Sequence, residues 1–526
     1  MSFGFGPRQA ARRRQLASAV AGYALVISGA ALPAEVTVSR ASGGTYFDSA
    51  AVLQSAANNV ARQTYDPATL ALQGLFCEPA STNQIRNNTG TGAAVATNVV
   101  TAPTDLSNAG WTKGNVTITT NGANDSTGAA TLDKIAETSA TGEHYVSNVN
   151  CVNGRTYFFS FEARAAERSE LYFGGGGFGG QGFTARWNLS TGTISSNTGS
   201  HAFMEDLGGG LYRCSVYFTA NATTAFQLNL YNGSTGNYAG TTGSGLYVGN
   251  FICFGSNATG TAPTNWSSTP PTGIKSYVYA TGTTSAGMEY VDRLIVGSVA
   301  SVSTLDYRFE GNTAVTAASG ETWAGGLYHK LQGGTLGGVT SINLLLNEYT
   351  SGAALVTGQL SGALANPTTA GSHTQRISWA AALNGGGTTA AVNLFYRLNL
   401  AANTPVMLIL RHALPQMEKA AAVSSPIRTS SVAVTRAAET ITITGLGASA
   451  FIDGQSYPLV LTFFDDTTSS STVAVASGAV TFGPVGLKPI KKIVIGNDPS
   501  GWSMDFSDPN NSALMVSPFG VALGLY

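Results

Sequence analysis

Alternating apolar and polar residues mark many short segments of this chain as strands with one face turned to a core. In RTYFFSFEAR, the side chains of Tyr157, Phe159 and Phe161 fall on one face, as the two-residue period of a strand requires. LYRCSVYF, at 211–218, has the same pattern and follows the glycine-rich turn EDLGGG. Strands of this kind recur at intervals of about ten residues, which predicts an all-β protein of serial jelly-roll or β-sandwich modules.

Two stretches of the chain repeat one strand pattern. TTAFQLNLYN, at 223–232, and TTAAVNLFYRLNLAAN, at 388–403, share a Thr pair and an aromatic-x-Leu-Asn-Leu strand. Each leads into a long apolar strand and a proline-containing exit, at Pro263 and Pro426. We therefore expect a short N-terminal arm (1–34), a lead segment plus first sandwich (35–272), a second sandwich (273–430) and a small C-terminal β domain (431–526).

Composition supports several β units and disfavours some partners. The chain has 526 residues, too many for one core, and only 10% of them are charged. The net charge of -1 carries no large block of one sign, so nucleic acid is not an expected partner. Four cysteines form no CxxC pair and are expected to pack as small apolar residues.

The amino terminus allows more than one interpretation. Four arginines precede a run of about 17 mostly apolar residues, a shape shared by signal peptides. The alternative, which we favour, is a basic arm with a short helix that docks on a partner protein. A membrane span is not expected, because the run is short of the usual requirement of about 20 apolar residues.

No catalytic, metal or cofactor site is predicted from motifs. The five histidines lie in separate segments without metal-ligand spacing. The acid pairs Glu205-Asp206 and Asp465-Asp466 are adjacent, so neither pair alone supplies the two converging carboxyl groups of a glycosidase. The glycine-rich stretch at 173–183 lacks the Lys-Ser/Thr ending and the helix of a phosphate loop.

Four aromatic residues are candidates for stacking on a sugar ring. Trp111, Tyr172, Trp187 and Trp323 are each flanked by small polar residues that can bond hydroxyl groups. The alternative for each is packing in a core or an interface. We favour packing for each of the four.

The segment before the first sandwich resembles a known family. VTVSRASGGTYFDSAAVLQSA (36–56) and ARQTYDPATLALQGLFCEPASTNQI (61–85) resemble the lead segment of bacteriophage and prophage virion proteins, the head-spike or tail-fibre type with carbohydrate-binding-like β-sandwiches. The matching positions are Ser39, Arg40, Ala41, Ser42, Asp48, Ser49, Val52, Asp66, Pro67, Gly74, Leu75, Glu78, Pro79, Thr82 and Asn83. Ala51 replaces a turn glycine of the family and Gln84 an apolar residue. VTRAAE, at 434–439, echoes the VSRAS opening.

The local pattern of this segment is compatible with two structures. YFDSAAVLQ suits a β-hairpin, whereas Leu53, Ala56, Ala57 and Val60 have the spacing of a helix face. The resemblance implies a segment that wraps or pairs with its own sandwich.

The resemblance implies a non-enzymatic structural component of a virion appendage: a head spike, collar or tail fibre that attaches to host surface polysaccharide. It implies homotrimers, contacts with other virion proteins through the arm, assembly in the host bacterial cytoplasm and a place on the virion surface. Two alternatives stay open. One is a tailspike depolymerase acting on capsule or lipopolysaccharide, and the other is a secreted bacterial adhesin that binds polysaccharide.

Overall fold

The structure is a computed structural model that describes residues 22–29, 31–175, 181–233, 236–258, 260–369, 375–446 and 451–496. The regular elements among these residues are strands, together with a 3-10 turn at Gly386–Thr388, and turns and loops connect them. The predicted all-β class of sandwich modules is confirmed. Residues 1–21, which hold the arginines of the predicted arm, lie outside the described residues.

The lead segment consists of seven short strands. They are β1 (Gly22–Val26), β2 (Val36–Ser39), β3 (Gly44–Phe47), β4 (Leu53–Ala56), β5 (Gln63–Tyr65), β6 (Leu72–Leu75) and β7 (Ser81–Asn83). Strands β3 and β4 form a hairpin, so the hairpin prediction is confirmed and the helical alternative is wrong. At its turn, Ala51 adopts a φ of 59°, a left-handed conformation that favours glycine.

The first sandwich contains two six-stranded antiparallel sheets. Its strands are β8 (Thr112–Gly114), β9 (Val116–Asn124), β10 (Ala130–Glu137), β11 (Thr141–Glu143), β12 (Tyr145–Asn150), β13 (Thr156–Ala165), β14 (Glu170–Gly175), β15 (Gln181–Asn188), β16 (Thr193–Thr198), β17 (Ser200–Gly208), β18 (Leu211–Thr219), β19 (Ala225–Tyr231), β20 (Asn237–Ala239) and β21 (Gly245–Gly255). Outer sheet 1 has the order β16-β15-β14-β19-β12-β8 and inner sheet 1 the order β17-β18-β13-β21-β10-β9. Strands β11 and β20 pair separately.

The second sandwich contains two five-stranded sheets. Its strands are β22 (Ser267–Thr269), β23 (Ile274–Thr283), β24 (Glu289–Gly297), β25 (Ser303–Arg308), β26 (Thr322–Thr335), β27 (Val339–Tyr349), β28 (Leu355–Leu360), β29 (Arg376–Ala382), β30 (Ala391–Leu400) and β31 (Val406–Glu418). Outer sheet 2 has the order β28-β27-β30-β25-β22 and inner sheet 2 the order β29-β26-β31-β24-β23.

The two sandwiches share one topology. Each strand of the second sandwich occupies the sheet position of a first-sandwich strand, with β30 in the place of β19 and β31 in the place of β21. The first sandwich adds only β16 and β17 at its edges and the separate pair β11 and β20. Trp111 and Trp266, which precede the equivalent strands β8 and β22, each pack against a phenylalanine of their own sandwich. The duplication indicated by the aromatic-x-Leu-Asn-Leu repeat is therefore a duplication of the whole module.

The inner sheets pack against each other, so the sandwiches stack into four layers. Phe158 and Phe254 of inner sheet 1 contact an apolar surface of inner sheet 2 that includes Tyr277, Leu294 and Met407. This contact explains why β13 is buried on both faces, although its sequence predicts a half-buried strand. Outer sheets 1 and 2 are the layers whose outward faces lie away from this contact.

The C-terminal unit is built jointly with the lead segment. Its own strands are β32 (Val434–Arg436), β33 (Thr440–Ile443), β34 (Ser456–Phe463), β35 (Thr468–Ala474), β36 (Val480–Phe482) and β37 (Ile490–Gly496). Strands β1 and β6 pair with β37, β2 pairs with β33, and β7 pairs with β32. The grouping of residues 35–85 with the first sandwich is wrong in this respect, because β2, β5, β6 and β7 complete sheets of the C-terminal unit, while β3 and β4 pair with each other. Residues 22–26, assigned to the arm, likewise form its edge strand, with Leu25 buried in the core.

A buried cluster of charges fixes the lead segment at this junction. Arg40, Arg62, Glu78, Arg436 and Glu439 are all at most 2% exposed. Glu439 Oε1 accepts hydrogen bonds from Arg40 at 2.6 Å and from Arg62 at 2.9 Å. Glu439 Oε2 accepts a second hydrogen bond from Arg62, at 2.6 Å. Glu78 Oε2 accepts from Arg62 at 2.7 Å and lies 3.2 Å from Arg436 Nη1. We call these five residues the junction cluster.

The junction cluster unites the motifs that carry the family resemblance. VSRAS contributes Arg40, CEPASTN contributes Glu78, and VTRAAE contributes Arg436 and Glu439. Ser425, at the exit of the second sandwich, donates to Glu78 at 2.6 Å and accepts from Arg62 at 2.8 Å. The constraint on the lead segment is therefore structural: its motifs join both ends of the described chain.

Acid should weaken this junction. Burial alone would raise the pKa of Glu439, but hydrogen bonds and charge from Arg62 and the Glu78 amide lower it below the usual range. A carboxyl group with a depressed folded pKa stabilises the protein above its unfolded pKa of about 4.3 and loses that contribution as the pH falls through the folded value. We expect calorimetry to show a nearly constant Tm from pH 7 to about 5 and a steep fall below about pH 4. A Tm that stays level to pH 3 would contradict this expectation.

Candidate functional site

The outward face of outer sheet 1 carries a concentration of aromatic and polar side chains. Alternation along β14, β15 and β19 turns apolar residues such as Leu171, Trp187 and Leu228 into the core. The intervening residues point outward, and we call the following set the tyrosine face: Tyr145, Glu170, Tyr172, Arg186, Gln227, Asn229 and Tyr231.

Asn229 lies at the centre of the tyrosine face. Strand pairing places it directly between Tyr145 of β12 and Tyr172 of β14. The residue is fully buried, yet neither its side-chain oxygen nor its nitrogen has a hydrogen-bond partner among the described residues. Leaving a buried polar group without a partner costs about 1–3 kcal/mol, so the arrangement calls for an explanation other than stability.

Three neighbours of Asn229 share this property. Gln227 Oε1, Glu170 Oε2 and Arg186 Nε are buried atoms without a hydrogen-bond partner among the described residues. The other Glu170 oxygen accepts a hydrogen bond from Asn188 at 2.9 Å, which fixes the carboxylate. The face thus contains donors and acceptors without partners, and an external polar ligand reaches these covered atoms only when a neighbouring side chain moves aside.

The aromatic rings of the face are held in place by close packing. Tyr172 and Tyr231 are stacked, with centroids 6.2 Å apart and planes 19° from parallel. The guanidinium of Arg186 lies 4.5 Å from the Tyr231 centroid, within the range of a cation–π contact. The ring of Tyr145 lies over Gly114, where any Cβ would collide with it. Glycine on β8 therefore lets this ring rest on the sheet.

Burial changes the acidity of two groups around the face. Burial raises the pKa of Tyr172, with a further contribution from Tyr231. Burial also raises the pKa of Glu143, on the neighbouring strand β11. Both shifts indicate a region partly withdrawn from water, where hydrogen bonds to a ligand are stronger than at an open surface.

The second sandwich shows the contrasting arrangement. In the alignment of the two aromatic-x-Leu-Asn-Leu strands, Asn399 of β30 corresponds to Asn229. Its amide donates to Ser341 Oγ at 2.9 Å and to Asn343 Oδ1 at 2.6 Å. Opposite Asn399 lies Ser341, whereas opposite Asn229 lies Tyr172. Asn399 in the second sandwich is thus satisfied within the chain, whereas Asn229 in the first sandwich has no hydrogen-bond partner among the described residues.

The four aromatic residues that the sequence offered as candidates for sugar stacking lie in two different environments. Trp111, Trp187 and Trp323 are at most 2% exposed and pack in the two cores, so these three candidates do not belong to a sugar-binding surface. Their indole nitrogens are satisfied within the chain; that of Trp187, for example, donates to the Phe203 carbonyl at 2.9 Å. Tyr172 alone lies on an outward face and is half-buried.

Sequence reasoning missed Tyr145, Arg186 and Asn229. The signal was present in the alternation of FQLNLYN, whose outward positions are Gln227, Asn229 and Tyr231. Their convergence with Tyr145 depends on strand pairing across more than 80 residues, which no local pattern reports.

The described part of the chain shows neither a metal-binding cluster nor a membrane-spanning helix. It contains no group of three or more His, Cys, Asp or Glu side chains that could hold a metal ion. Within the same ranges, no helix has the length and apolarity needed to span a membrane.

Comparisons with known proteins give little further guidance. No family model matches the chain, and no curated protein matches it. Among solved structures, it is similar to the N-terminal CBM22-1-CBM22-2 tandem domain of Paenibacillus barcinonensis Xyn10C, with a TM-score of 0.20 and 11% identity over 63% of this chain and 100% of that chain. Dimeric latent PorU from Porphyromonas gingivalis gives a TM-score of 0.11 and 10% identity over 66% of this chain and 32% of that chain. Similarities this low carry no argument, so the fold and the tyrosine face define the class by themselves: a tandem β-sandwich protein with an aromatic and amide-lined outer face.

Proposed function

We propose that the protein binds a glycan on the tyrosine face. The observation that carries the proposal is Asn229, buried between two tyrosines with both polar atoms unpartnered in the described structure. The apolar face of a sugar ring stacks on tyrosine, while a side-chain amide donates to one hydroxyl and accepts from another. This combination fits a polyhydroxylated ligand better than an apolar one.

The proposed role is attachment without cleavage. The resemblance of residues 36–85 to virion lead segments supports a place on a phage appendage that contacts host surface polysaccharide. A trimeric fibre with one such face per chain would present several weak sites together and gain avidity. A depolymerase would shorten the polymer during incubation, whereas an attachment protein would leave its length unchanged.

Replacement of the central residues should remove binding. On a printed array of bacterial capsule and lipopolysaccharide glycans, we expect the unchanged protein to bind a defined subset. Tyr172→Ala and Asn229→Leu should each weaken that binding by about 10- to 100-fold, corresponding to about 1.4–2.7 kcal/mol. The leucine variant removes both polar atoms at similar volume, so it also relieves an unsatisfied group and should not destabilise the fold.

Tyr247→Ala provides the matched control. Tyr247 is a half-buried tyrosine of the same sandwich, on β21 in inner sheet 1, and its loss should leave glycan binding unchanged. Equal losses for Tyr172→Ala and Tyr247→Ala would count against the tyrosine face. Unchanged glycan binding by both the Tyr172→Ala and the Asn229→Leu variants would contradict the proposal.

A further inference from the structure

The core of the second sandwich contains a polar island that its architecture does not explain. Inner sheet 2 contributes Arg293, His329 and His412, and outer sheet 2 contributes Tyr307 and Tyr396. All five residues are at most 3% exposed. His329 and His412 are direct cross-strand neighbours, and so are Tyr307 and Tyr396 on the facing sheet.

The rings of the island pack closely around one point. His412 lies 4.7 Å from the Tyr396 ring and 5.1 Å from the Tyr307 ring between centroids. The guanidinium carbon of Arg293 lies 4.8 Å from the Tyr307 centroid. His329 Nδ1 is 3.1 Å from the Tyr396 hydroxyl, and the other ring nitrogen of His329, Nε2, takes no part in this contact.

Several nitrogens of the island lack a partner. Arg293 Nε, His329 Nε2 and both ring nitrogens of His412 have no hydrogen-bond partner among the described residues. When the Tyr396 hydroxyl donates to His329 Nδ1, the ring hydrogen resides on Nε2, which is then an unused donor. A neutral His412 carries one further unused donor. The island is thus rich in donors.

The island also carries an unbalanced positive charge. No carboxylate of the described residues forms an ion pair with Arg293. Asp292, its neighbour on β24, faces the other side of the sheet and pairs with Arg411 at 2.8 Å. Burial lowers the pKa of His329 to about 4, and burial with Arg293 and His329 lowers that of His412. Both imidazoles are therefore neutral at pH 7, and Arg293 is the remaining charge. A buried cation without a counter-charge is strongly unfavourable.

We propose that this island binds a small monovalent inorganic anion, chloride, between Arg293 and the two imidazoles. The anion would neutralise Arg293 and accept hydrogen bonds from Arg293 Nε and the imidazole N–H groups. The rings contact one another directly, at 4.7–5.1 Å between centroids, so an anion must fit beside them, and a single-atom ion needs the least space. The same positive charge excludes a metal cation, although two histidines lie side by side. The site is independent of the tyrosine face and would stabilise the second sandwich.

Anion exchange tests the site in the intact protein. At a fixed ionic strength of about 0.15 M, replacing sodium gluconate by sodium chloride should raise the Tm by about 3 °C or more. Arg293→Met should abolish this rise. The matched control is Arg397→Met, which removes an arginine of the same sandwich that is paired with Asp306 on the outer face; this variant should keep the rise.

Bromide supplies a second measurement that needs no variant. Crystals of the unchanged protein grown in sodium bromide should give an anomalous peak about 3.5 Å from Arg293 and His412. An equal Tm in gluconate and chloride would overturn the proposal. The absence of a bromide peak from the island would also overturn the proposal, even if ordered water occupied the same position.

Discussion

Replacing Glu439 by glutamine is expected to destabilise the protein by about 3–5 kcal/mol, because the substitution leaves two buried arginines without their shared carboxylate. Arg40 and Arg62 are fully enclosed and both bond Glu439 Oε1. Glutamine keeps the shape but loses the charge and one acceptor. Urea denaturation followed by tryptophan fluorescence would measure the change in the free energy of unfolding.

Two comparisons make this result specific to the junction cluster. Asp465→Asn removes an exposed carboxylate that pairs with Lys488 and should leave stability almost unchanged. Limited proteolysis of Glu439→Gln should cut first in the lead segment, since β2 and β7 depend on this junction. A loss below about 1 kcal/mol in Glu439→Gln would show that the cluster does not hold the lead segment in place.

Trp187→Ala is expected to cost about 3–5 kcal/mol, the usual penalty for removing a large buried aromatic side chain. Trp187 is fully buried, meets Phe161 edge to face at 5.4 Å and donates its indole hydrogen to the Phe203 carbonyl. The cavity left by alanine and the orphaned carbonyl both oppose folding. Calorimetry should show a Tm lowered by several degrees.

Tyr172→Ala is the informative partner of this substitution. Its side chain is half-buried on the outward face, so its loss should change the free energy of unfolding by about 1 kcal/mol or less while removing glycan binding. The two residues lie in neighbouring strands of one sheet, with opposite orientation. If Trp187→Ala kept full stability and lost glycan binding, Trp187 would again be a candidate for stacking on a sugar ring.

The strands and their inward faces were predictable because a strand repeats every two residues. Phe159, Cys214 and Leu228 are core residues, as their alternation indicates. The same alternation explains why Trp111, Trp187 and Trp323 were candidates for a sugar-binding surface although they are buried. A buried residue in a strand is flanked by polar residues because its neighbours face the opposite side, so polar flanks do not indicate exposure.

The long-range pairings were not predictable from local patterns. Strand β2 pairs with β33 across about 400 positions of sequence, and nothing in either strand specifies the other. The echo between VSRAS and VTRAAE did hint at this pairing, because Arg40 and Glu439 meet in the junction cluster. Asn229 is a similar case. Its alternation predicts an outward side chain, but its lack of partners appears only when its two neighbouring strands are in place.

A crystal structure of the protein soaked with the glycan that the array selects would test the central claim most directly. The account predicts a sugar ring stacked on Tyr172 or Tyr145, with a hydroxyl within about 3.2 Å of the Asn229 amide. A ring bound on the outward face of outer sheet 2, or anywhere that leaves Asn229 without a contact, would contradict it.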